Sequence, residues 1–442
     1  MEFLRIWLYI DVAVIGLYVL LNLHKVFYTV IALFYKPKFP ETEKRHKFCV
    51  VIPARNEEKV IGNLIDSLKK QDYPEELIDI FVVADNCTDR TADAARDAGA
   101  TVFERFDAQK KGKAYALDYA LKRIIEEYGE NGYEAVLFFD ADNVAAKAFV
   151  YEMNKAYDCG AKVCTCYRNS KNWGQSWMSS AYGIFFMSQC RFMHNSRSAV
   201  RSSTFISGTG FLVDFELIRG EGGWKYELLT EDIEFSLVMA MRNFRVDYNK
   251  DAMLYDEQPA DFKTSWRQRM RWAKGFYQCM KTYTAKLVRG FFTKAGFACY
   301  DMFTVLAPHV FLAAWAVASL SVRMIAGAAI TEPGTAFLQT PFFQYALLPT
   351  CIVLGGFFAF MWLYAGAVIL SERKNINAGF WRRLRAFLMF PFFMLSYVPI
   401  GLAALFSPVI WSPIEHNADM KIEDAERRKR KKRGKRKDAE EA

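Results

Sequence analysis

The sequence predicts an α/β domain with a mostly parallel sheet, joined to interfacial and transmembrane helices. Three observations predict it. Apolar strand-like runs alternate with helical periodicity from Phe48 to Phe139. Acidic residues stand directly after two of those runs, at Asp85 and Asp140. Apolar stretches long enough to cross a bilayer, which takes about 20 residues, lie on both sides of the domain.

The N-terminal stretch, Leu4 to Phe34, is apolar but interrupted by Asp11, His24 and Lys25. It lacks a small-residue cleavage site and reads as an anchor. Lys36, Lys38, Lys44, Arg45 and Lys47 follow, which puts that side in the cytoplasm by the positive-inside rule. Phe48–Pro53, Ile78–Ala84, Ala100–Phe103 and Ala135–Phe139 read as strands, and Asn56–Lys70, Thr91–Ala98 and Lys113–Tyr128 as helices. Strands spaced by such helices imply βαβ units and a parallel sheet. Ligands of those sheets bind beyond the carboxyl ends of the strands. Residues 175–200 and 261–290 mix Met or Trp, Phe and Tyr with cations, as interfacial helices do; packing inside the globular domain is the alternative. Met302–Val322, Phe342–Leu370 and Phe387–Trp411 are strongly apolar. If all three cross, the tail ends outside. The Arg373–Arg385 cations and the basic tail favour the inside, so the last stretch, with Pro391, Pro399 and Pro408, reads as re-entrant or as a tight hairpin.

Composition agrees. Of 442 residues, 52% are hydrophobic and 38 are Phe, too many for an ordinary soluble chain. The net charge of +9 is concentrated: residues 427–437 hold ten Lys or Arg, leaving the rest near neutral. This excludes a nucleic-acid-binding body and leaves a basic tail. Near anionic headgroups each cation would contribute about 1 kcal/mol; a disordered solubilising tail is the alternative. The nine cysteines show no zinc-type spacing and suit reduced thiols.

Several motifs carry chemistry. Pro53-Ala-Arg-Asn-Glu57 follows the first strand, with Asn56 as a possible helix cap. Asp85-Asn86 ends the second, where a simple turn would also use these residues. Lys111-Gly-Lys113 precedes a helix, as a phosphate-neutralising cation or an exposed basic loop. Asp140-Ala-Asp142 sets two carboxylates at a strand end, an unfavourable pair unless a cation offsets them; hard divalent cations take such oxygen ligands. Phe205-Ile-Ser-Gly-Thr-Gly210 has glycines, Gly208 among them, that permit close backbone approach or form a β-turn. Thr230-Glu-Asp232 opens an apolar helix, with Thr230 able to cap it and the acids suited to its first turn. Gln268, Arg271 and Trp272 share one helical face by i, i+3, i+4 spacing. Trp411–His416 ends the last apolar stretch as an interfacial anchor.

Asp85, Asp140-Ala-Asp142, Thr230-Glu-Asp232 and Gln268–Trp272, in this order and between apolar ends, resemble the motifs of processive family 2 glycosyltransferases. These are the cellulose, chitin, hyaluronan and poly-N-acetylglucosamine synthases. The resemblance covers about residues 47–290 by motif and the rest by layout. It implies a cytoplasmic GT-A-like nucleotide-sugar-binding domain that transfers a hexosyl or N-acetylhexosaminyl group from a UDP-sugar with Mn²⁺ or Mg²⁺. It implies that Asp232 is the general base, with Glu231 beside it, and that Asp142 is the metal ligand. Asp140 falls to the donor sugar, Asp85 and Glu57 to the nucleoside end, and Lys113 and Arg271 to the diphosphate. Trp272, Gln268 and Gly208 fall to the acceptor. Asp85-Asn86 departs from the Asp-Asp or Asp-Gly of many members.

The implied product is a β-linked polysaccharide, possible accessory secretion subunits being its further partners, and the implied location a bacterial plasma membrane, multi-pass. The alternatives are single addition to a lipid-linked or oligosaccharide acceptor, and a catalytically inactive scaffold. The regions expected are an anchor over 1–35, the catalytic domain over 47–260, the interfacial region over 261–290, transmembrane helices over 296–411 and a charged tail over 417–442.

Overall fold

The computed structural model describes residues 1–35, 38–306, 308–408, 421 and 423, without the side chains of 308–310. Lys36, the Trp411–His416 motif and the basic run 427–437 lie outside the described residues.

The strands are β1 (Phe48–Ala54), β2 (Ile78–Asp85), β3 (Thr101–Arg105), β4 (Ala135–Phe138), β5 (Val144–Ala145), β6 (Val163–Ser170), β7 (Phe211–Asp214) and β8 (Val246–Asp256). They form a mixed, mostly parallel sheet in the order β3-β2-β1-β4-β7-β6-β8-β5. β1 and β4 are apolar throughout, and β2 is apolar but for Asp79 and its last residue, Asp85, because both faces are covered. Val50 and Ile52 pack under helix Ile61–Lys69 on one face; Cys49 and Val51 pack under helix Lys113–Tyr128 on the other. The expected strands and helices of this half are present, with one shift. The second segment becomes helical only at Ile61, so Asn56 caps nothing. Asn56 sits instead at φ +57° and accepts the Thr88 N–H at 2.8 Å, tying the loop after β1 to the loop after β2.

β7 runs antiparallel to β4, with Phe211 opposite Phe138, and antiparallel to β6. Its start therefore lies at the carboxyl end of β4. β8 pairs parallel to β6, with Asp256 opposite Ser170. The carboxyl ends of β1, β2, β4, β6 and β8 thus share one edge with the amino end of β7. Gly210 makes this close approach possible. It has φ +66°, and a Cβ there would fall 2.2 Å from Leu254 and 2.4 Å from Cys166.

Among the described residues four helices are long and apolar enough to cross a membrane: Glu2–Phe34, Phe311–Ala329, Phe343–Ser371 and Phe380–Phe406. The expected stretch Met302–Val322 divides between helices Gly296–Leu306 and Pro308–Ala329. The last candidate span has Pro391 inside its first helix, Phe380–Leu395, and breaks at Ser396 before Tyr397–Phe406. Helix Phe262–Gly290, capped by Asp261 through the Thr264 N–H at 2.9 Å, packs on that broken pair. Fully buried Arg269 donates to Phe393 O at 3.0 Å and Ser396 Oγ at 2.7 Å. Lys274 Nζ donates to Ala404 O and Ser407 O, each at 3.1 Å.

Candidate active site

Asp85 closes β2 and is buried. Arg105, paired opposite it at the end of β3, donates from Nη1 to Asp85 Oδ1 at 2.5 Å and from Nη2 to Asp107 Oδ2 at 3.0 Å. Asn86 Oδ1 accepts the Asp107 N–H at 3.0 Å. The Glu57 N–H donates to Thr91 Oγ1 at 2.8 Å. One rigid frame therefore joins the loops after β1, β2 and β3 around Asp85.

At the end of β4, the Asp140 N–H donates to Thr209 Oγ1 at 2.9 Å and to Asn143 Oδ1 at 3.1 Å. Asn143 Nδ2 donates to Asp142 Oδ1 at 3.2 Å and to Asp256 Oδ1 at 3.1 Å. This bridges two buried carboxylates. Arg168, near the end of β6, offsets them. Its Nε donates to Asp256 Oδ2 at 2.8 Å, its Nη2 also bonds Asp256, and its Nη1 donates to Ser207 O at 2.6 Å. Burial pushes the Asp256 carboxyl up to about 6, against the Arg168 charge and with the help of Asp142. Among the described residues no group of three or more His, Cys, Asp or Glu is disposed as a metal cage.

Lys113 joins this end to the Thr230–Asp232 motif. Its Nζ lies 2.6 Å from Asp140 Oδ1, 3.4 Å from Glu231 Oε1 and 2.6 Å from Gly208 O. Burial opposes the ammonium charge, but Asp140 and Glu231 outweigh it and raise its pKa. Gly208 stands between the acids at φ +83°: a Cβ there would lie 3.9 Å from Asp232 Oδ2 and 4.0 Å from Asp140 Oδ2. Burial, then the Glu231 carboxylate, push Asp232 up to about 7. The fold thus brings Lys113, Asp140, Gly208, Glu231 and Asp232 together.

Thr230 does not cap its helix. Helix Glu231–Met241 lacks a side-chain cap there, and the Thr230 hydroxyl lies 3.6 Å from Cys279 Sγ in helix Phe262–Gly290. That helix also receives the Leu229 N–H at Gln278 Oε1, 3.1 Å away, and donates Tyr283 Oη–H to Glu234 at 2.7 Å. It seats the motif through Gly275, where a Cβ would come within 2.5 Å of Thr230 Cγ2 and 2.9 Å of its backbone N. On its other positions, Arg271 is half-buried with no ion pair or hydrogen bond among the described residues. Gln268 Oε1 is buried without a hydrogen-bond partner among the described residues. Trp272 is half-buried and meets Tyr182 and Phe186 edge-to-face, at 6.0 and 6.1 Å between ring centroids. Arg168 stacks on that Phe186 at 3.9 Å. Among the described residues no hydrogen bond or ion pair links Gln268, Arg271 or Trp272 to the Lys113 cluster.

Sequence reasoning missed Arg105, Asn143, Arg168, Asp256 and Gly275. Arg105 continues the inward alternation from Phe103. Arg168 lies near the end of β6 and Asp256 ends β8, strands that were not foreseen, although Val246, Tyr248, Ala252 and Leu254 share one parity.

Comparison with known proteins agrees with this architecture. The chain is 27% identical over 266 residues to the "Probable glycosyltransferase YdaM" of Bacillus subtilis (strain 168), covering 54% of this chain and 57% of that protein. It is 24% identical over 233 residues to a poly-beta-1,6-N-acetyl-D-glucosamine synthase of Staphylococcus epidermidis, covering 52% and 54%. It is 25% identical over 236 residues to a beta-monoglucosyldiacylglycerol synthase of Synechocystis, covering 52% and 48%. The chain thus matches about half the length of these curated relatives. Among solved structures, the mannosyltransferase PcManGT of Pyrobaculum calidifontis, in complex with GDP-Man and Mn²⁺, superposes with a TM-score of 0.58. That match has 18% identity over 90% of this chain and 98% of the other, a likeness of fold. The model described as "Glycosyltransferase like family 2" matches residues 46–275, more than half of the chain. Sheet, edge and motifs agree with that match, and the chain belongs to glycosyltransferase family 2.

Proposed function

We propose that the chain is a membrane-embedded, inverting, metal-dependent transferase that moves a sugar from a UDP-sugar to the non-reducing end of a growing β-linked polysaccharide. One observation carries this reading: Lys113 bridges Asp140, Gly208 and Glu231, so donor-type and base-type carboxylates face one small volume. Asp85 with Arg105 marks the nucleoside end of the same edge.

Inversion needs one base and no covalent sugar–enzyme intermediate. Asp232 accepts the proton of the acceptor hydroxyl as that oxygen attacks the anomeric carbon. The diphosphate leaves from the opposite face. Lys113 and Arg271 supply positive charge to the diphosphate. Arg168 keeps Asp256 paired and holds Ser207 O, which fixes Gly208 beside the base. The donor set fits a hard divalent cation. Mg²⁺-type sites take one or two carboxylates plus substrate phosphates, without an all-protein cage. Asp142 would hold it, with Asp140 toward the donor sugar. When bound, such an ion offsets the charge that develops on the leaving diphosphate. The four apolar helices would keep this site at the cytoplasmic face of a bacterial membrane and leave a route for export of the polymer.

A second reading has its own support. The beta-monoglucosyldiacylglycerol synthases match at the same level as the polymer synthases. Trp272 is also partly covered by Tyr182 and Phe186, which limits the ring face open to a sugar. Under this reading one sugar is added to a lipid. Detergent-purified protein incubated with a panel of UDP-sugars and Mn²⁺ or Mg²⁺ separates the two. Polymer resistant to lipid extraction supports the first reading, and a single-sugar glycolipid the second. No UDP release with any donor and metal overturns both.

A further inference from the structure

Lys113 Nζ touches three segments that are distant in sequence: Asp140 after β4, Gly208 before β7, and Glu231 at the start of its helix. The ammonium donates to Gly208 O at 2.6 Å and pairs with Asp140 at 2.6 Å and, less closely, with Glu231 at 3.4 Å. Yet the group is not sealed like a structural lysine. Its side chain is 24% exposed and that of Asp140 is 33% exposed, so a solvent-borne anion can reach it. Lysine is a compact charge on a flexible four-carbon stem, able to change partners without backbone motion. Gly208, at φ +83°, has the freedom to relax when its carbonyl loses a donor.

We propose that Lys113 is a positioning residue that clasps the acceptor-side segment 205–210 and the Thr230–Asp232 motif to Asp140, and that a nucleoside diphosphate draws it away. The inference rests on the proposed nucleotide-sugar donor and adds an order to it. A nucleoside diphosphate carries at least as much negative charge as the Asp140 and Glu231 carboxylates together, so donor binding turns the ammonium outward. Gly208 O and Glu231 then lose their shared cation. The acceptor side loosens only after the donor has arrived.

Hydrogen–deuterium exchange on the full-length protein in detergent tests this, with UDP and Mn²⁺ as the probe. In wild type, UDP should speed amide exchange in 205–210 and 228–232 about tenfold, the scale expected for losing a charge-assisted hydrogen bond. Lys113→Met should show that faster exchange without UDP and no further change with it. Unaltered or slowed exchange in wild type, with UDP binding proven by calorimetry, overturns the clasp and leaves the proposed function standing. Absence of UDP binding to wild type overturns the donor reading itself. The wild-type arm decides the matter even if Lys113→Met folds poorly.

Discussion

Asp232 carries opposite demands in one carboxyl. Burial and Glu231 raise it to about 7, so near neutrality it divides between acid and base forms. A base must be ionised, so turnover should fall as pH drops below about 7. Stability moves the other way. The folded value lies above the ordinary 3.8, so this group's contribution is full below pH 4 and is lost as pH rises to about 7. Asp232→Asn should therefore melt higher than wild type at pH 8 but not at pH 4. Its turnover should fall by about 10²–10⁴-fold, the scale of general-base catalysis, while UDP affinity persists. Thermal scans, UDP release and calorimetry check the set. A variant that melts lower at pH 8, or keeps a tenth of the rate, would remove Asp232 from the base role. Acids at strand ends were legible in the sequence because position alone singles them out. Arg105 and Arg168 were not, because what marks them is the carboxylate each meets, Asp85 and Asp256, and that is fixed only by strand order.

Elements carry the site as rigid bodies, and helix Phe262–Gly290 is the clearest case. It approaches Thr230 so closely that Gly275 has room for hydrogen alone. Gly275→Ala would drive a methyl against the Thr230 backbone, which has no rotamer to yield. Overpacking of this kind costs about 1–3 kcal/mol. The larger effect should be on rate: displacing a catalytic group by about 1 Å can cost about 10²-fold. UDP binding, which the proposed function gives largely to Asp85 and Lys113, should fall less than the rate. Gly62→Ala is the matched control, since a Cβ there meets nothing within 4 Å in helix Ile61–Lys69. Equal rates for the two variants would show that this helix does not set the Thr230–Asp232 position. β1, β2 and β4 were readable because each holds an unbroken apolar run, over 48–54, 80–84 and 135–138. β8 was hidden by its own irregularity. Cys166 pairs with Asn249 but Tyr167 with Met253, so Lys250, Asp251 and Ala252 fall between paired residues and shift the register.

At the scale of the whole molecule, the charges that interrupt the apolar helices are where those helices are tied. Asp11 accepts Trp315 Nε1–H at 2.9 Å and pairs with Arg323 at 3.1 Å. His24 and Tyr28 reach buried Asp301, which Arg197 also grips, at 2.7 and 2.8 Å. The sequence reading saw Asp11, His24 and Lys25 as blemishes in an anchor, because their partners lie some 280 to 300 residues away. The same joining occurs around Trp272. Tyr182 meets Trp272 at 6.0 Å and Phe393 at 5.0 Å, so one aromatic cluster spans the catalytic domain, the helix of Trp272 and the apolar C-terminal region. Arg271, one residue earlier, has no partner in this cluster. The two side chains should therefore fail differently. Arg271→Ala should slow every reaction of the donor, including its hydrolysis by water, if Arg271 meets the diphosphate as proposed. Trp272→Ala should leave hydrolysis within a few-fold of wild type but shorten the product. Stacking of a ring on an aromatic face contributes about 1–3 kcal/mol in the comparable base-stacking case, or about 10–100-fold in how long an acceptor is held between additions. UDP release and product length, measured side by side on both variants, test the pair. Product length unchanged in Trp272→Ala would turn the choice toward single addition to a lipid acceptor, with Trp272 left as the packing residue that Tyr182 and Phe186 already make of it.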